Sequence, residues 1–297
     1  MPTRQENHAS THNQARGGLL LAVLAVFMFS TSPILILWAA PLSPFEITAG
    51  RLISGALAVW LLAWLSGQPL LPQRSDLPRF LGFGLITTLH FLCYIASLNF
   101  TTIAHSLAIV YTAPIFVTLF SAVLLQEPIA PRQWIGVVVT VVGIAILAGL
   151  EPRLDSRMLL GDLLALGSAI TFGLYSVAGR SQRERYGLFT YAGTVYALAG
   201  LWMLPVAALN VTPTGYRWRP LLALLGAGLL PLATGHTLYN AALRRTHATT
   251  VNLIATQEVT GGVLLGALLL GQVPQANEVV GAAIALAGIV LVMVGNR

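Results

Sequence analysis

Glu258 is a carboxylic acid set deep in apolar chain. It stands in Thr256-Gln257-Glu258-Val259-Thr260, eleven residues into a hydrophobic run at about 247–270. An ionised side chain at that depth of a bilayer costs at least about 2.5 kcal/mol even on lenient insertion scales, so it must face the protein interior or water. It reads either as a carboxylate that exchanges a proton or an amine, its protonation set by occupancy, or as a protonated acid bonded to a neighbouring helix. Two histidines stand in matching company. His90 lies four residues before Tyr94, and His236 three before Tyr239, spacings that put each pair on one helical face. Such a face offers hydrogen bonds and ring stacking to a small polar molecule; the plainer reading is a histidine satisfied between packed helices.

Arg51 sits about two turns inside another apolar run, just after Glu46. Its guanidinium would snorkel to the interface, pair with Glu46, or take a carboxylate bidentately. Tyr111 precedes Pro114, and Ser30-Thr31-Ser32-Pro33 interrupts the first run. Proline frees backbone carbonyls, which hydroxyls or water re-satisfy where they line a cavity. Pro33 and Pro114 therefore read as hinge candidates, or as static kinks. Tyr175, Tyr191, Tyr196 and Trp202 would line a cavity or belt the lipid. The candidate substrate-binding set is Arg51, His90, Tyr94, Tyr111, His236, Tyr239 and Glu258, with Glu258 the coupling candidate. No catalytic residue, metal ligand set or cofactor is expected.

These groups need elements that hold them in a solvent other than water. Of 297 residues, 56% are hydrophobic and 9% charged, against about 25% charged in a soluble domain, and the mean hydropathy is +0.78. The chain cannot clothe a soluble surface, so the lipid bilayer is its expected partner. A bilayer core takes about 20 apolar residues per helix. Ten runs meet that, near 17–38, 45–66, 78–98, 103–125, 132–150, 158–180, 188–209, 219–241, 247–270 and 276–295. Turn chemistry separates them, as in Ala40-Pro41-Leu42-Ser43-Pro44, Gly67-Gln68-Pro69, Pro213-Thr214-Gly215 and Val273-Pro274. The first run is too long for a signal-peptide core and nine more follow, so it reads as a span.

All 16 basic residues are Arg: eleven fall on the side of the N-terminus and four opposite (Arg153, Arg157, Arg217, Arg219), with Arg51 inside a span. The positive-inside rule then puts both termini in the cytoplasm and the chain in the cell (inner) membrane. The pI of about 10.0 reads as topology, and no basic face or nucleic-acid module suggests a nucleic-acid partner. The single Cys93 excludes an internal disulfide framework.

Residues 94–147 and 239–292 repeat one passage 145 positions apart, with 12 of 54 pairs identical and the same order of apolar runs and polar breaks. Each copy belongs to a unit of five spans. Five is odd, so the second unit enters the membrane from the opposite side: the expected fold is all-α integral membrane, ten transmembrane helices as two inverted five-helix repeats. The expected divisions are a tail at 1–16 and repeats at 17–150 and 151–297. Inverted repeats commonly hold a site near the midplane between them. Glycines at seven-residue spacing, Gly136/Gly143, Gly193/Gly200 and Gly281/Gly288, suit close helix packing; those of spans 5 and 10 would alternatively hold a homodimer, so monomer and homodimer both stand.

Span 4 carries a proline in Tyr111-Thr112-Ala113-Pro114, and the phrase that closes it, Leu124-Leu125-Gln126-Glu127-Pro128, then Gln133-Trp134-Ile135-Gly136 and Gly143-Ile144, is repeated as Leu269-Leu270-Gly271-Gln272, Glu278-Val279-Val280-Gly281 and Gly288-Ile289. With the duplicated hydropathy over about 17–295, the chain resembles the drug/metabolite transporter superfamily in its ten-helix EamA-type branch, and is similar to bacterial amino-acid exporters, including aromatic ones. The resemblance implies a secondary transporter exporting small metabolites, most simply amino acids, by alternating access. A drug or nucleotide-type metabolite transporter of the same fold is the alternative. Gln272 stands where the first copy has Glu127, and Val259 where it has Pro114, so the acid at Glu127 is expected to be structural. An ATPase would need a P-loop, and a membrane enzyme clustered metal ligands or a nucleophile with its base; neither pattern occurs. A channel suits duplicated, proline-broken halves less well than a rocking carrier.

Overall fold

The computed structural model describes residues 4–100, 106, 109–149, 156–213, 215–270 and 275–294. Its described residues form thirteen α-helices that make up the expected spans. Span 1 is α1 (Arg4–Phe29) and α2 (Ser32–Trp38). Span 2 is α3 (Pro44–Leu65) and span 3 is α4 (Leu77–Ser97). Within span 4 lies α5 (Ala113–Leu124), and span 5 is α6 (Pro131–Ala148). Spans 6 and 7 are α7 (Ser156–Ser181) and α8 (Leu188–Leu209). Span 8 runs through α9 (Trp218–Ala227), a π-helical stretch at Gly228–His236 and α10 (Thr237–Leu243). Span 9 is α11 (Ala248–Ala255) and α12 (Glu258–Leu270), and span 10 is α13 (Ala276–Val294). Seven stretches are long and apolar enough to cross a membrane, and three shorter apolar helices fall in spans 4, 5 and 10. The turn at Val273-Pro274 and Gln272 lie outside the described residues.

Local chemistry sets the helix ends. Pro44 opens α3 behind a capping box in which Ser43 N–H donates to Glu46 Oε2 at 2.8 Å and Glu46 N–H to Ser43 Oγ at 3.3 Å, satisfying backbone donors a helix start leaves free. Where spans break, hydroxyls take up the backbone carbonyls. Ser30 Oγ donates to Val26 O at 2.8 Å, Thr31 Oγ1 to Met28 O at 2.6 Å and Thr112 Oγ1 to Ile109 O at 2.7 Å. Span 9 breaks as well, at Thr256-Gln257, with Thr256 Oγ1 donating to Leu253 O at 2.7 Å. In the 145-residue register this is the equivalent of the turn at Tyr111-Thr112, so the two copies break together although only the first carries proline.

The packing has the symmetry of an inverted pair. Span 2 packs on 7, span 5 on 10 and span 4 on 9, each against its own repeat equivalent; span 1 packs on 8 as span 3 packs on 6. The glycines make these approaches possible. A Cβ on Gly143 would lie 2.4 Å from Ala285 N, and one on Gly281 2.3 Å from Leu147 N; Gly136 and Gly288 likewise meet opposing backbone at 2.7 Å. The glycines of spans 5 and 10 thus pack on each other inside one chain, as the close-packing reading of them expects. Gly193 and Gly200 serve the span 2–span 7 contact, against Trp60 and Ile53.

Candidate functional site

A buried cavity lies where the broken spans meet. Span 1 brings Phe29 and Ser32 from either side of its break; span 2 brings Arg51; span 3 brings His90, Phe91 and Tyr94; span 4 brings Val110 and Tyr111. Repeat 2 contributes Phe172 from span 6, Pro231 and His236 from span 8, and Ala255 and Glu258 from span 9. The cavity leaves about 30 Å³ for water centres, enough for one or two waters at roughly 10–15 Å³ each. It is closed to anything the size of an amino acid.

The backbone positions each group. Glu258 stands at the first residue of α12, directly after the break, and Tyr111 faces its carboxyl within hydrogen-bonding reach. Gly261 lets this corner close on span 1, since a Cβ there would sit 1.9 Å from Ser30 Oγ. His236 ends the π-helical stretch that contains Pro231, and such stretches recur at functional sites because they re-aim side chains. Span 2 reaches the same stretch closely: a Cβ on Gly228 would lie 1.9 Å from Ser54 Oγ.

His90 is held from span 6. Its Nδ1 lies 3.1 Å from Ser168 O and 3.0 Å from Ser168 Oγ, while Ser168 Oγ donates to His90 O at 3.0 Å. A carbonyl only accepts, so Nδ1 carries the proton and Nε2 is left for another partner. The ring stacks on Phe172 at 4.6 Å, and the His90 and His236 centroids are 6.5 Å apart. His236 also packs on Phe29 at 4.5 Å and edge-on to Phe91 at 5.0 Å. The two histidines therefore share one ring-lined chamber.

Six of the seven residues named from sequence, Arg51, His90, Tyr94, Tyr111, His236 and Glu258, line this cavity. Tyr239 does not. Its hydroxyl is bonded to Ser176 Oγ at 2.7 Å and takes a bond from Asn252 Nδ2 at 3.2 Å, which makes it part of the wall behind. Arg51 does not snorkel: it is 1% exposed, and its guanidinium lies 4.6 Å over the Phe91 ring. Glu46 is instead engaged by Ser43, Thr212 and Tyr216. Tyr175, Tyr191 and Tyr196 are buried behind the cavity and Trp202 is exposed. Pro33 follows the span 1 break at the start of α2, and Pro114 opens α5.

Sequence reasoning missed Phe29, Phe91, Phe172 and Pro231. A signal existed for Phe91, which meets His236 in the 145-residue register, and for Phe29, which borders the Ser30–Pro33 interruption. Phe172 and Pro231 gave none, because an aromatic or a proline in an apolar run does not declare its face.

Polar ties join the two repeats near each face. On the face that carries the N-terminus, Arg180 grips Glu127 at 2.8 and 3.1 Å and donates from Nη1 to Leu243 O at 2.8 Å, with His247 Nδ1 3.4 Å from the same carboxylate. Burial alone would raise the Glu127 carboxyl; hydrogen bonds from His247 and Arg180 outweigh it and hold the group at about 2. On the opposite face Glu46 takes bonds from Thr212 N at 3.1 Å, Tyr216 Oη at 2.9 Å and the Thr212 hydroxyl. Each carboxylate belongs to the first repeat and most of its partners to the second.

Comparison with known proteins agrees with this architecture. The model of the EamA-like transporter family matches residues 16–149 and again 159–294. A pseudopaline exporter from Pseudomonas aeruginosa is 29% identical over 269 residues, covering 90% of this chain and 92% of its own. A threonine/homoserine exporter from Escherichia coli is 25% identical over 228 residues, covering 76% and 74%. A solved crystal structure superposes with a TM-score of 0.81 at 20% identity, over 93% of this chain and 96% of that one, a likeness of fold. With two matching segments that span nearly all of it, the chain belongs to the EamA-like transporter family and is a multi-pass membrane transporter of small molecules, not an enzyme.

Proposed function

We propose that this transporter exports amino acids, or metabolites built like them, from the cytoplasm across the inner membrane by alternating access. The observation that carries the reading is the cavity: one guanidinium, one carboxylic acid, two imidazoles and several aromatic rings, drawn from both repeats, face one space between the two ties. An amino acid offers an ammonium, a carboxylate and a side chain, and each has a chemical counterpart there. The relatives named for pseudopaline and for threonine and homoserine support export of such polar metabolites. A cavity that now holds only a water or two must enlarge to load, and an inverted pair can do so from one side at a time. The units at 17–150 and 151–297 are the proposed moving halves, with Pro33 and Pro114 at their flexible points, both termini in the cytoplasm and one chain sufficient.

Counterflow in proteoliposomes tests it. Labelled threonine or phenylalanine is expected to enter faster when the unlabelled amino acid is trapped inside, and Glu258→Gln and His90→Ala are each expected to cut that exchange about tenfold or more. Undiminished exchange in both variants would sink the site assignment. Faster entry under an imposed pH gradient in wild type, abolished in Glu258→Gln, is the outcome expected of a proton-coupled carrier.

A further inference from the structure

Among the described residues, three buried groups of the cavity carry polar atoms with no partner. Arg51 is 1% exposed, and its Nε and Nη1 meet no acceptor. Phe91 places the guanidinium through its ring face but satisfies none of its N–H groups. The Tyr94 hydroxyl, in a residue 7% exposed, and His236 Nδ1, in one 6% exposed, are also unpaired. Buried polar groups in folded proteins are almost always bonded, and an orphan marks an absent water, ion or ligand. The chemistry of these orphans is one-sided. A guanidinium only donates and cannot shed its charge, and a phenol readily donates.

The nearest carboxyl does not complete them. Glu258 of span 9 lines the same cavity and is near enough to act on Arg51 through charge, but it is not hydrogen-bonded to Arg51 Nε or Nη1 or to the Tyr94 hydroxyl. A buried guanidinium left without an acceptor is costly, and an arriving carboxylate removes that cost. The empty site is thus built to favour an anionic group at these donors, with the acid of span 9 on the same cavity.

We propose that Arg51 and Tyr94 form the receptor for the substrate's carboxylate, so that the cargo is a zwitterion lying across the cavity with its ammonium toward Glu258 and its side chain against Phe29, Phe172 and His236. This rests on the exporter reading of the cavity. It adds a polarity, with carboxylate between spans 2 and 3 and ammonium between spans 4 and 9, and it makes a free carboxylate a requirement for transport.

The experiment uses the full chain in proteoliposomes and counterflow of labelled phenylalanine and threonine. Competitors are phenethylamine and phenylalaninamide, which lack the carboxylate, and 3-phenylpropionate, which lacks the ammonium. Phenylpropionate is expected to compete, and the amine and amide to need about a hundredfold higher concentration. Tyr94→Phe is expected to weaken phenylalanine about tenfold, Arg51→Met to abolish its exchange, and Arg51→Lys to restore part of it. Because Arg51 holds no protein acceptor at Nε or Nη1, Arg51→Met is expected to melt no lower than wild type while losing the thermal shift that phenylalanine gives. Equal competition by amine and amide, or a lowered melting temperature in Arg51→Met with exchange retained, would overturn the receptor and leave the exporter reading standing. Exchange that depends on chloride and not on the competitor's carboxylate would assign the orphan donors to a resident chloride and also overturn it. Failure of either amino acid to exchange at all removes the exporter reading, and this receptor with it.

Discussion

Arg51, Tyr94 and Tyr239 show how burial and bonding divide residues of similar appearance. All three are buried in the spans, yet Tyr239 has its hydroxyl bonded on both sides, to Ser176 and Asn252, whereas Tyr94 and Arg51 have open donors. A satisfied group belongs to the scaffold and an unsatisfied one awaits a partner. Tyr239→Phe is therefore expected to lower stability by about 1–3 kcal/mol, since it orphans buried polar atoms, while the apparent KM for the transported substrate stays within about twofold. Thermal unfolding in detergent, read beside exchange kinetics, checks both. Ser168→Ala acts through another residue: it removes one of the two oxygens that fix the His90 ring. The expected result is a raised KM with little change in melting temperature.

At the scale of elements, the breaks are what bring polar groups to the middle of the bundle. Those at Ser30-Thr31 and near Tyr111 were legible from their prolines and hydroxyls. The break at Thr256-Gln257 was not, because Val259 stands where Pro114 marks the first copy; only the repeat register betrays it. The π-helical stretch at Gly228–His236 left no trace either. A proline within an apolar run fits a kink, a bulge or a helix start, and packing against span 2 decides among them. The spans themselves and six cavity residues were readable because mid-membrane polarity admits few explanations, whereas which span packs on which was not. Which tyrosines line the cavity was not, since burial alone does not reveal a bonded hydroxyl. Span pairing also carries a prediction. Gly143→Val forces a side chain into Ala285 backbone that already lies 2.4 Å from the first added carbon, so a loss of more than about 3 kcal/mol is expected, read as a fall in melting temperature with the purified carrier.

For the whole molecule, two carboxylates hold the halves together at opposite ends, Glu127 on the face of the N-terminus and Glu46 on the other. On the proposed alternating-access reading, one tie is expected to release at a time. With Cys93→Ser and a reporter Ser32→Cys in the cavity wall, Glu127→Gln is expected to speed labelling by a membrane-impermeant thiol reagent from the face of the N-terminus, and Glu46→Gln from the opposite face. Labelling unchanged from both sides would show that the ties do not hold the gates. The Glu127 tie has a pH signature as well. Its carboxyl is held at about 2, below the usual value of about 4.3, so its contribution is fully present above the usual value and is lost as the pH falls toward about 2. Unfolding followed from pH 6 to pH 3 should show that loss in wild type and a flatter profile in Glu127→Gln. The seam of spans 5 and 10 brings no residue to the cavity, and its glycines lay backbone directly on backbone. Side chains of Thr140, Ile144, Leu147 and Val292 are set between those glycines, so the seam is keyed along its length. A keyed, close-packed seam resists sliding, and spans 5 and 10 are expected to keep their register in any change of shape the carrier undergoes.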